Sequence, residues 1–220
     1  TTCDSWNFYA EFSQKEMHRS YRQFNDFRHQ VNIDFKKYWN SGGMIDFGNT
    51  SDPRAKELER RMVLSLYLTK INCSGNFPPQ ETGLTYNSWY GRPHMEMEWW
   101  HGIHFALWGH PEILENHMNW YLNNIEKARN IAQRQGFKGV RWQKMTDNEG
   151  GETVSSVGSY LIWQQPHPVY FAELLYNTGN KGEILEKYFE IVEETAEFMA
   201  DFAWYDPQLN TYLDEVIKTQ

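Results

Sequence analysis

Apolar residues recur at helical intervals along most of this chain, and the polar segments between the periodic stretches differ widely in length. Each periodic stretch is expected to form a helix that buries one apolar stripe. No alternation typical of paired strands is visible. The predicted helices span roughly residues 13–40, 52–75, 94–108, 111–136, 159–177 and 183–203, with a last short helix after Pro207.

Residues that start and stop helices mark these boundaries. Ser13-Gln14-Lys15-Glu16 is a capping box, in which a hydroxyl and a carboxylate satisfy free backbone N–H groups. Asp52-Pro53 combines a capping carboxylate with a proline at the first helical turn, and Pro111 opens another helix. Pro166 and Pro168 are expected to delay or kink the helix in which they lie. The clearest apolar stripe follows Pro111 and comprises Leu114, Met118, Tyr121, Ile125 and Ala128.

Two kinds of joint connect the predicted helices. Gly109-His110-Pro111 and Thr178-Gly179-Asn180 are short, whereas residues 76–93 and 136–155 form long loops. Long loops in compact domains often carry function. The alternation predicts an all-α toroid of helical hairpins, with the long loops around one mouth. We therefore expect residues 1–220 to form a single all-α domain or the N-terminal part of one.

Composition narrows the classes of partner. The net charge of -8 and the pI of about 5.5 argue against nucleic acid, because phosphate binding needs basic surfaces. Mean hydropathy is -0.75, and no apolar run is long enough to cross a bilayer, so no membrane partner is predicted. Aromatic residues make up 16% of the chain, which allows ring-lined ligand clefts as well as a large core.

The cysteines and the N-terminal residues say little about disulfide pairing or cellular location. Cys3 and Cys73 are too few for a disulfide scaffold, and the sequence does not decide whether they pair. No signal peptide is visible. The compartment therefore stays open, with an extracytoplasmic location, periplasmic or secreted, favoured.

The stretch from Asn87 to His101 holds the most informative chemistry. It contains four aromatic rings, two carboxylates, two imidazoles and a guanidinium. A core does not favour that mixture, because each buried polar group must find a partner. A pocket for a polyhydroxylated ligand does favour it, since ring faces cover the C–H faces of a sugar while charged groups bind its hydroxyls. The stretch therefore points to an oligosaccharide substrate.

Three elements of the chain resemble the six-hairpin, (α/α)6-barrel glycoside hydrolases and phosphorylases, most nearly those of glycoside hydrolase family 65. The first is Gly91-Arg92-Pro93-His94-Met95-Glu96-Met97-Glu98-Trp99, with a histidine followed four residues later by an acid. The second is Gly136-Phe137-Lys138-Gly139-Val140-Arg141-Trp142, and the third is Gln164-Gln165-Pro166-His167-Pro168. They match in order over roughly residues 30–205. Met97-Glu98 departs from the Trp-Asp pair that is usual in family 65.

The resemblance implies a carbohydrate-active protein that acts on an oligosaccharide by an inverting mechanism, as a glycoside hydrolase or a phosphorylase. It implies neither a cofactor nor a metal. The general acid of the family normally follows the matched region, so it is expected outside this chain. The substrate-binding residues predicted on this basis are Trp89, Arg92, His94, Trp99, Lys138, Arg141, Trp142, Gln165 and His167.

Carboxylates are the groups that inverting glycoside cleavage requires. One protonated carboxyl donates to the leaving oxygen, and an ionised one activates water or positions phosphate on the opposite face. Glu98, Glu149 and Glu152 are the catalytic candidates within the chain. The apolar neighbours of Glu98 are expected to raise its pKa by desolvation. Glu149 and Glu152 are equally consistent with solvated loop acids.

Alternative functions remain open at this point. His94, Glu98 and His101 fall near one helical face, which allows a mononuclear metal site and a metal-dependent enzyme, although no second Glu-x-x-His segment supports a di-iron bundle. A non-catalytic helical scaffold that binds carbohydrate or protein is a further alternative. An incomplete toroid would expose an apolar flank, which favours self-association.

Overall fold

The structure is a computed structural model that describes residues 8, 10, 23–155, 157–158 and 160–214. These residues contain α1 (Phe24–Trp39), α2 (Ala55–Cys73), a 3-10 turn (Trp89–Gly91), α3 (Glu98–Leu107), α4 (Pro111–Arg134), α5 (His167–Thr178), α6 (Lys181–Phe202) and the strands β1 (Ala203–Asp206) and β2 (Thr211–Asp214). The chain divides into two compact units, Thr1–Gly42 and Gly43–Gln220. A single domain over all 220 residues therefore stays a prediction.

The first unit contains α1. The helix begins after Gln23, whose backbone N–H donates to the Asp26 carboxylate at 3.3 Å. It ends at Trp39, as the glycine-rich stop signal predicts, and Gly42 then adopts a φ of 79° that a side chain would oppose. The capping box predicted at residues 13–16 lies outside the described residues.

The second unit is built around α4. Pro111 stands in its first turn, and its buried residues include the whole predicted stripe from Leu114 to Ala128. α3 and α5 lie side by side and both pack against α4, while α6 packs against α5 and α4, and α2 packs against α3. The helical hairpins α3–α4 and α5–α6 and the all-α character of the chain are therefore confirmed.

Two helices begin later than their sequence signals suggest. α2 begins at Ala55, because the Asp52 carboxylate accepts hydrogen bonds from the backbone and the guanidinium of Arg54 and holds that segment in a turn. α5 begins at His167, because Pro166 and Pro168 confine helical geometry to the residues that follow the turn. α2 begins three residues after the expected Asp52, whereas α5 begins eight residues after the expected position 159, so the first part of that predicted helix is wrong.

The expected helix after Pro207 is wrong, and so is the expected absence of paired strands. β1 and β2 form an antiparallel hairpin in which Tyr205 faces Tyr212. The Asp206 carboxylate accepts from the backbone of Gln208 at 2.8 Å and closes the turn. Aromatic residues on both strands favour this pairing over a helix.

The described helices include none that is long and apolar enough to cross a membrane.

Candidate functional site

The two long loops of the second unit meet at one end of its helices. The backbone N–H of Glu96 donates to the Lys144 carbonyl at 3.3 Å, and the N–H of Thr146 donates to the Pro93 carbonyl at 3.2 Å. His167, at the start of α5, places Nδ1 3.1 Å from the Met95 carbonyl oxygen. The short joints lie at the other ends of the same helices, since α3–α4 and α5–α6 are antiparallel hairpins.

The meeting of these loops explains why α3 begins at Glu98 rather than at His94. The His94 N–H donates to the Pro79 carbonyl at 3.0 Å, and the Glu96 N–H is held by Lys144. The Met97 N–H donates to the His94 carbonyl at 3.0 Å and the Glu98 N–H to the Met95 carbonyl at 3.3 Å, and these three-residue bonds are those of a turn. Residues 94–97 therefore form a turn, and this turn presents the Glu96 side chain to the loop that carries Lys144.

Glu96 is the centre of a charged cluster at this end. Its Oε2 lies 3.0 Å from Lys144 Nζ and 3.1 Å from His94 Nε2. Burial by itself would raise the pKa of Glu96, but the hydrogen bonds from Lys144 and His94 outweigh it and leave the pKa lowered. Burial lowers the pKa of His94, so the imidazole is neutral at pH 7 and donates from Nε2 to the ionised carboxylate.

Trp89 covers one side of this cluster. Its ring centroid lies 5.0 Å from Lys144 Nζ and 6.0 Å from the His94 ring, and its Nε1 donates to Glu81. The indole is 48% exposed, so one face is open to a ligand. Trp89 and Tyr90 both have positive φ, at 48° and 61°. Bulky residues rarely adopt this strained conformation, which is concentrated at ligand sites.

Arg92 ties this segment to the second long loop. Its guanidinium donates to the Val154 carbonyl at 3.0 Å and lies 5.4 Å from the Tyr90 ring centroid. Three of the predicted binding residues, Trp89, Arg92 and His94, therefore lie in the same loop region as Glu96 and Lys144.

A second aromatic group lies at the starts of α3 and α5. Trp99 stacks on Tyr170 with centroids 4.4 Å apart, and its ring also lies 5.4 Å from that of His167. Trp100 and Trp163 meet edge to face at 5.7 Å. These last two rings are 58% and 40% exposed, so they add open indole surface beside the predicted Trp99 and His167.

Glu98 occupies a different environment from Glu96. It is fully buried, and its Oε1 lies 2.6 Å from Nδ1 of His117 on α4. A Cβ on Gly102 would stand 2.8 Å from that oxygen, so the glycine leaves room for the pair. The structure therefore places Glu98 between α3 and α4, on the side of α3 that faces the core.

Burial and the charge of Glu98 shift the pKa values of two other buried groups. Burial first, and the Glu98 charge second, raise the pKa of Cys73 to about 12 and raise that of Tyr121 well above its usual value. Cys73 is a free buried thiol, and Cys3 lies outside the described residues. Among the described residues no group of three or more His, Cys, Asp or Glu side chains is arranged to hold a metal ion.

The two loop acids predicted as catalytic candidates lie beside α4. Glu149 Oε2 lies 3.5 Å from Lys127 Nζ, and its side chain is largely exposed. Glu152 is paired with Arg134 near the end of the helix. Both carboxylates pair with residues of α4 rather than with the Glu96 cluster. Their catalytic roles stay predictions.

The remaining predicted binding residues hold the second long loop onto the helices. Trp142 is buried, and its Nε1 donates to Thr195 Oγ1 at 2.9 Å. The Gln165 side chain accepts from the Trp142 backbone at 2.8 Å and donates to the Val140 carbonyl. Gly139 explains the close approach, because a Cβ there would stand 2.0 Å from the Glu194 carbonyl oxygen.

Arg141 and Lys138 pack on α6 in different ways. The buried Arg141 guanidinium lies 5.2 Å from the Phe198 ring and donates to the Leu161 carbonyl at 2.7 Å. Burial lowers the pKa of Arg141 to about 10, so it stays charged at pH 7. The Lys138 backbone donates to Asp201 at 3.0 Å, while its exposed ammonium lies 3.9 Å from the same carboxylate.

Sequence reasoning missed Glu96, Lys144, Trp100 and Trp163 as site residues. If a helix began at His94, Glu98 would lie on the same face as His94, four residues on, and Glu96 would lie on a different face. The signal that could have shown otherwise is Pro93, since a residue after proline often begins a turn before the helix proper.

Comparison with solved structures settles the fold. The chain superposes on a "Putative kojibiose phosphorylase from human microbiome" with a TM-score of 0.68 and 16% sequence identity, over 87% of this chain and 25% of that one. The shared feature is the fold. The helical-hairpin fold that the resemblance predicts is therefore shared with this neighbour, and the chain spans a quarter of the neighbour's length. No family model matches the chain, and a search of curated proteins finds no match.

Proposed function

We propose that this chain is part of a carbohydrate-active protein that binds an oligosaccharide at its long-loop end. The observation that carries the proposal is the Glu96 cluster, in which an ionised carboxylate, an ammonium and a neutral imidazole lie beside the half-exposed ring of Trp89. Sugar hydroxyls donate to such a carboxylate and accept from such an ammonium, while the indole covers the C–H face of the ring.

The exposed indoles of Trp100 and Trp163 extend this surface beyond one sugar ring. Their edge-to-face contact fixes both rings before a ligand arrives, so little side-chain freedom is lost on binding. A fixed aromatic surface next to a charged cluster suits an oligosaccharide better than a single small polar ligand.

The reaction proposed for the complete site is inverting cleavage of a glycosidic bond, by water or by phosphate. Lys144 and His94 keep Glu96 ionised, which suits a group that binds a hydroxyl or accepts a proton. A general acid needs a raised pKa, so that role falls to a different carboxyl. The Lys144 ammonium supplies the positive charge that a phosphate needs, which makes phosphorolysis the second form of the proposal.

Titration calorimetry of a panel of gluco-, manno- and galacto-oligosaccharides against the chain tests the binding step. We expect one class to bind and Glu96→Gln and Trp89→Ala to weaken that binding at least tenfold. Glu112→Gln is the matched control, since it removes an exposed carboxylate at the start of α4, beside a short joint. Absence of binding for every glycan, with folded protein, would refute the proposal.

The alternative is a non-catalytic helical module that binds carbohydrate or protein. It shares the binding prediction but not the reaction. Incubation of the chain with the glycosyl fluoride of the bound sugar, with and without inorganic phosphate, separates the two. Fluoride leaves without a general acid, so a site that activates water or positions phosphate releases free sugar or sugar phosphate, whereas a binding module releases neither.

A further inference from the structure

Glu81 links the half-exposed indole of Trp89 to α3. Its carboxylate accepts a hydrogen bond from Trp89 Nε1, and its backbone carbonyl oxygen lies 3.0 Å from Nε2 of His101 on α3. Burial lowers the pKa of His101, so at pH 7 the imidazole is neutral and donates from Nε2, because a carbonyl oxygen can only accept. One residue therefore connects a helix of the second unit to the ring that the proposed sugar site exposes.

The loop that carries this acid, residues 80–88, is closed by its own hydrogen bonds. The Gln80 side chain accepts from the Ser88 backbone at 3.0 Å and donates to two carbonyls of the residues between them. The Leu84 N–H donates to the Asn72 side chain of α2 at 2.8 Å. The loop is thus bonded to α2 as well as to α3, which holds its side chains in a defined position.

Trp89 itself supplies little that would fix its ring. Its φ of 48° is a conformation that bulky residues rarely adopt, and its side chain is 48% exposed, so packing alone leaves other rotamers open to it. The observed rotamer places the ring centroid 5.0 Å from Lys144 Nζ. A hydrogen bond at the ring edge to an anchored carboxylate selects this rotamer over the others.

We propose that Glu81 is a positioning residue, which fixes the indole of Trp89 over the Lys144 ammonium before a ligand arrives. This proposal rests on the proposed function, because the fixed ring is the one that covers a sugar face there. Since Glu81 occupies the indole N–H, Trp89 recognises the ligand through its ring face rather than through its donor. Fixing the ring in advance removes an entropy loss that binding would otherwise include.

The charge of Glu81 is a second route by which it acts on the cluster, and the two routes must be separated. Burial lowers the pKa of His94, whereas the hydrogen bond and charge of Glu96 and the charge of Glu81 act in the opposite direction. Glu81→Gln removes the charge and keeps an oxygen that accepts from the indole. Glu81→Ala removes both, so the pair of variants distinguishes anchoring from charge.

The indole ¹H–¹⁵N signal of Trp89, identified by its loss in Trp89→Phe, tests the anchoring with no ligand present. We expect Glu81→Ala to shift this signal towards that of a solvent-bonded indole and to accelerate its hydrogen exchange, because the donor loses its carboxylate. Glu81→Gln should keep most of the protection. Glu112→Ala, which removes an exposed carboxylate at the start of α4, is the control and should leave the signal unchanged. An unchanged signal in Glu81→Ala would overturn the proposal.

Calorimetry with the glycan that binds the wild-type chain best tests what the anchoring does for the site, with urea denaturation to show that each variant is folded. Glu81→Ala is expected to weaken binding about three- to tenfold, the effect of one side chain that must be ordered on binding, and Glu81→Gln to restore the affinity to within about twofold. Unchanged affinity in folded Glu81→Ala, or equal losses in both variants, would contradict the proposal. If no glycan binds the wild-type chain, the proposed function fails, and the indole signal alone decides whether Glu81 positions Trp89.

Discussion

Glu96 and Glu98 stand two residues apart, yet they lie in opposite environments. Glu96 belongs to a turn held by two loops and is bonded to Lys144 at a partly open surface. Glu98 is the first residue of α3 and is bonded to His117 inside the helical layer. The start of the helix separates them, because it turns one carboxylate outward and the next inward. Two acids two residues apart therefore place one carboxylate at the long-loop surface and the other in the core.

The largest expected effect comes from the buried side of this comparison. Glu98→Ala leaves His117 without its carboxylate in a site that water does not reach, and we expect it to lower the free energy of unfolding by about 3–5 kcal/mol. Urea denaturation measures it. Glu96→Ala removes the carboxylate that pairs with the largely buried Lys144, at the edge of a loop where water can still reach the ammonium, and it is the comparison, with an expected cost of about 1–2 kcal/mol. Equal losses for both variants would contradict the distinction.

Gly102→Ala is expected to disturb the same buried pair by placing a methyl group against Glu98. Alanine in an exposed helix position normally stabilises relative to glycine, by about 1 kcal/mol. Here the new Cβ would stand 2.8 Å from Glu98 Oε1, which His117 holds in place. We expect a net destabilisation of about 1–3 kcal/mol in the same urea measurement. A stabilised variant would show that Glu98 moves freely.

Thr195→Val distinguishes the buried Trp142 from the exposed Trp89. It removes the acceptor of the Trp142 Nε1 hydrogen bond without a large change in volume, and we expect a loss of about 1–2 kcal/mol in unfolding free energy. Glycan affinity should not change. A variant of full stability with altered sugar binding would instead place Trp142 in the ligand site.

The effect that is smallest at pH 7, and grows only in acid, concerns the partly buried histidine His104. Burial lowers the pKa of His104 to about 4, although the ordinary value is 6.5, and repulsion from neighbouring histidines adds to the shift. The unfolded chain therefore binds a proton more readily, so this contribution to stability is complete above pH 6.5 and is lost as pH falls towards 4. His104→Phe should give a shallower decrease in unfolding free energy over that interval, measured by urea denaturation at several pH values. An unchanged slope would contradict the assignment.

Helical periodicity was sufficient to predict α4, because its five apolar positions all face one core. It also predicted α6 to within two residues, since Asn180 caps the helix and Ala203 ends it. The hairpin after α6 was missed, because Asp206-Pro207 is equally a helix start and a turn. The local sequence alone does not distinguish a helix start from a hairpin turn, because the choice depends on which strand can pair with the segment.

The site was predictable only in part. The aromatic and charged stretch around Trp89 and His94 pointed to the loop that carries the candidate site, since few cores accept that composition. The partner Lys144 is about 50 residues away, and its contact depends on how two loops pack, which residue spacing does not encode. Glu98 was taken for the ligand-facing acid because four-residue spacing assumes one continuous helix from His94, whereas loop hydrogen bonds delay that helix until Glu98 itself.

The most direct test compares Glu96→Gln and Glu98→Gln in one calorimetric titration with the glycan that binds the wild-type chain best. If the long-loop end is the carbohydrate site, Glu96→Gln keeps the wild-type stability and loses affinity at least tenfold. Glu98→Gln is destabilised, but its folded fraction binds with the wild-type Kd. The reverse pattern, with full affinity in Glu96→Gln and lost affinity in folded Glu98→Gln, would contradict the account.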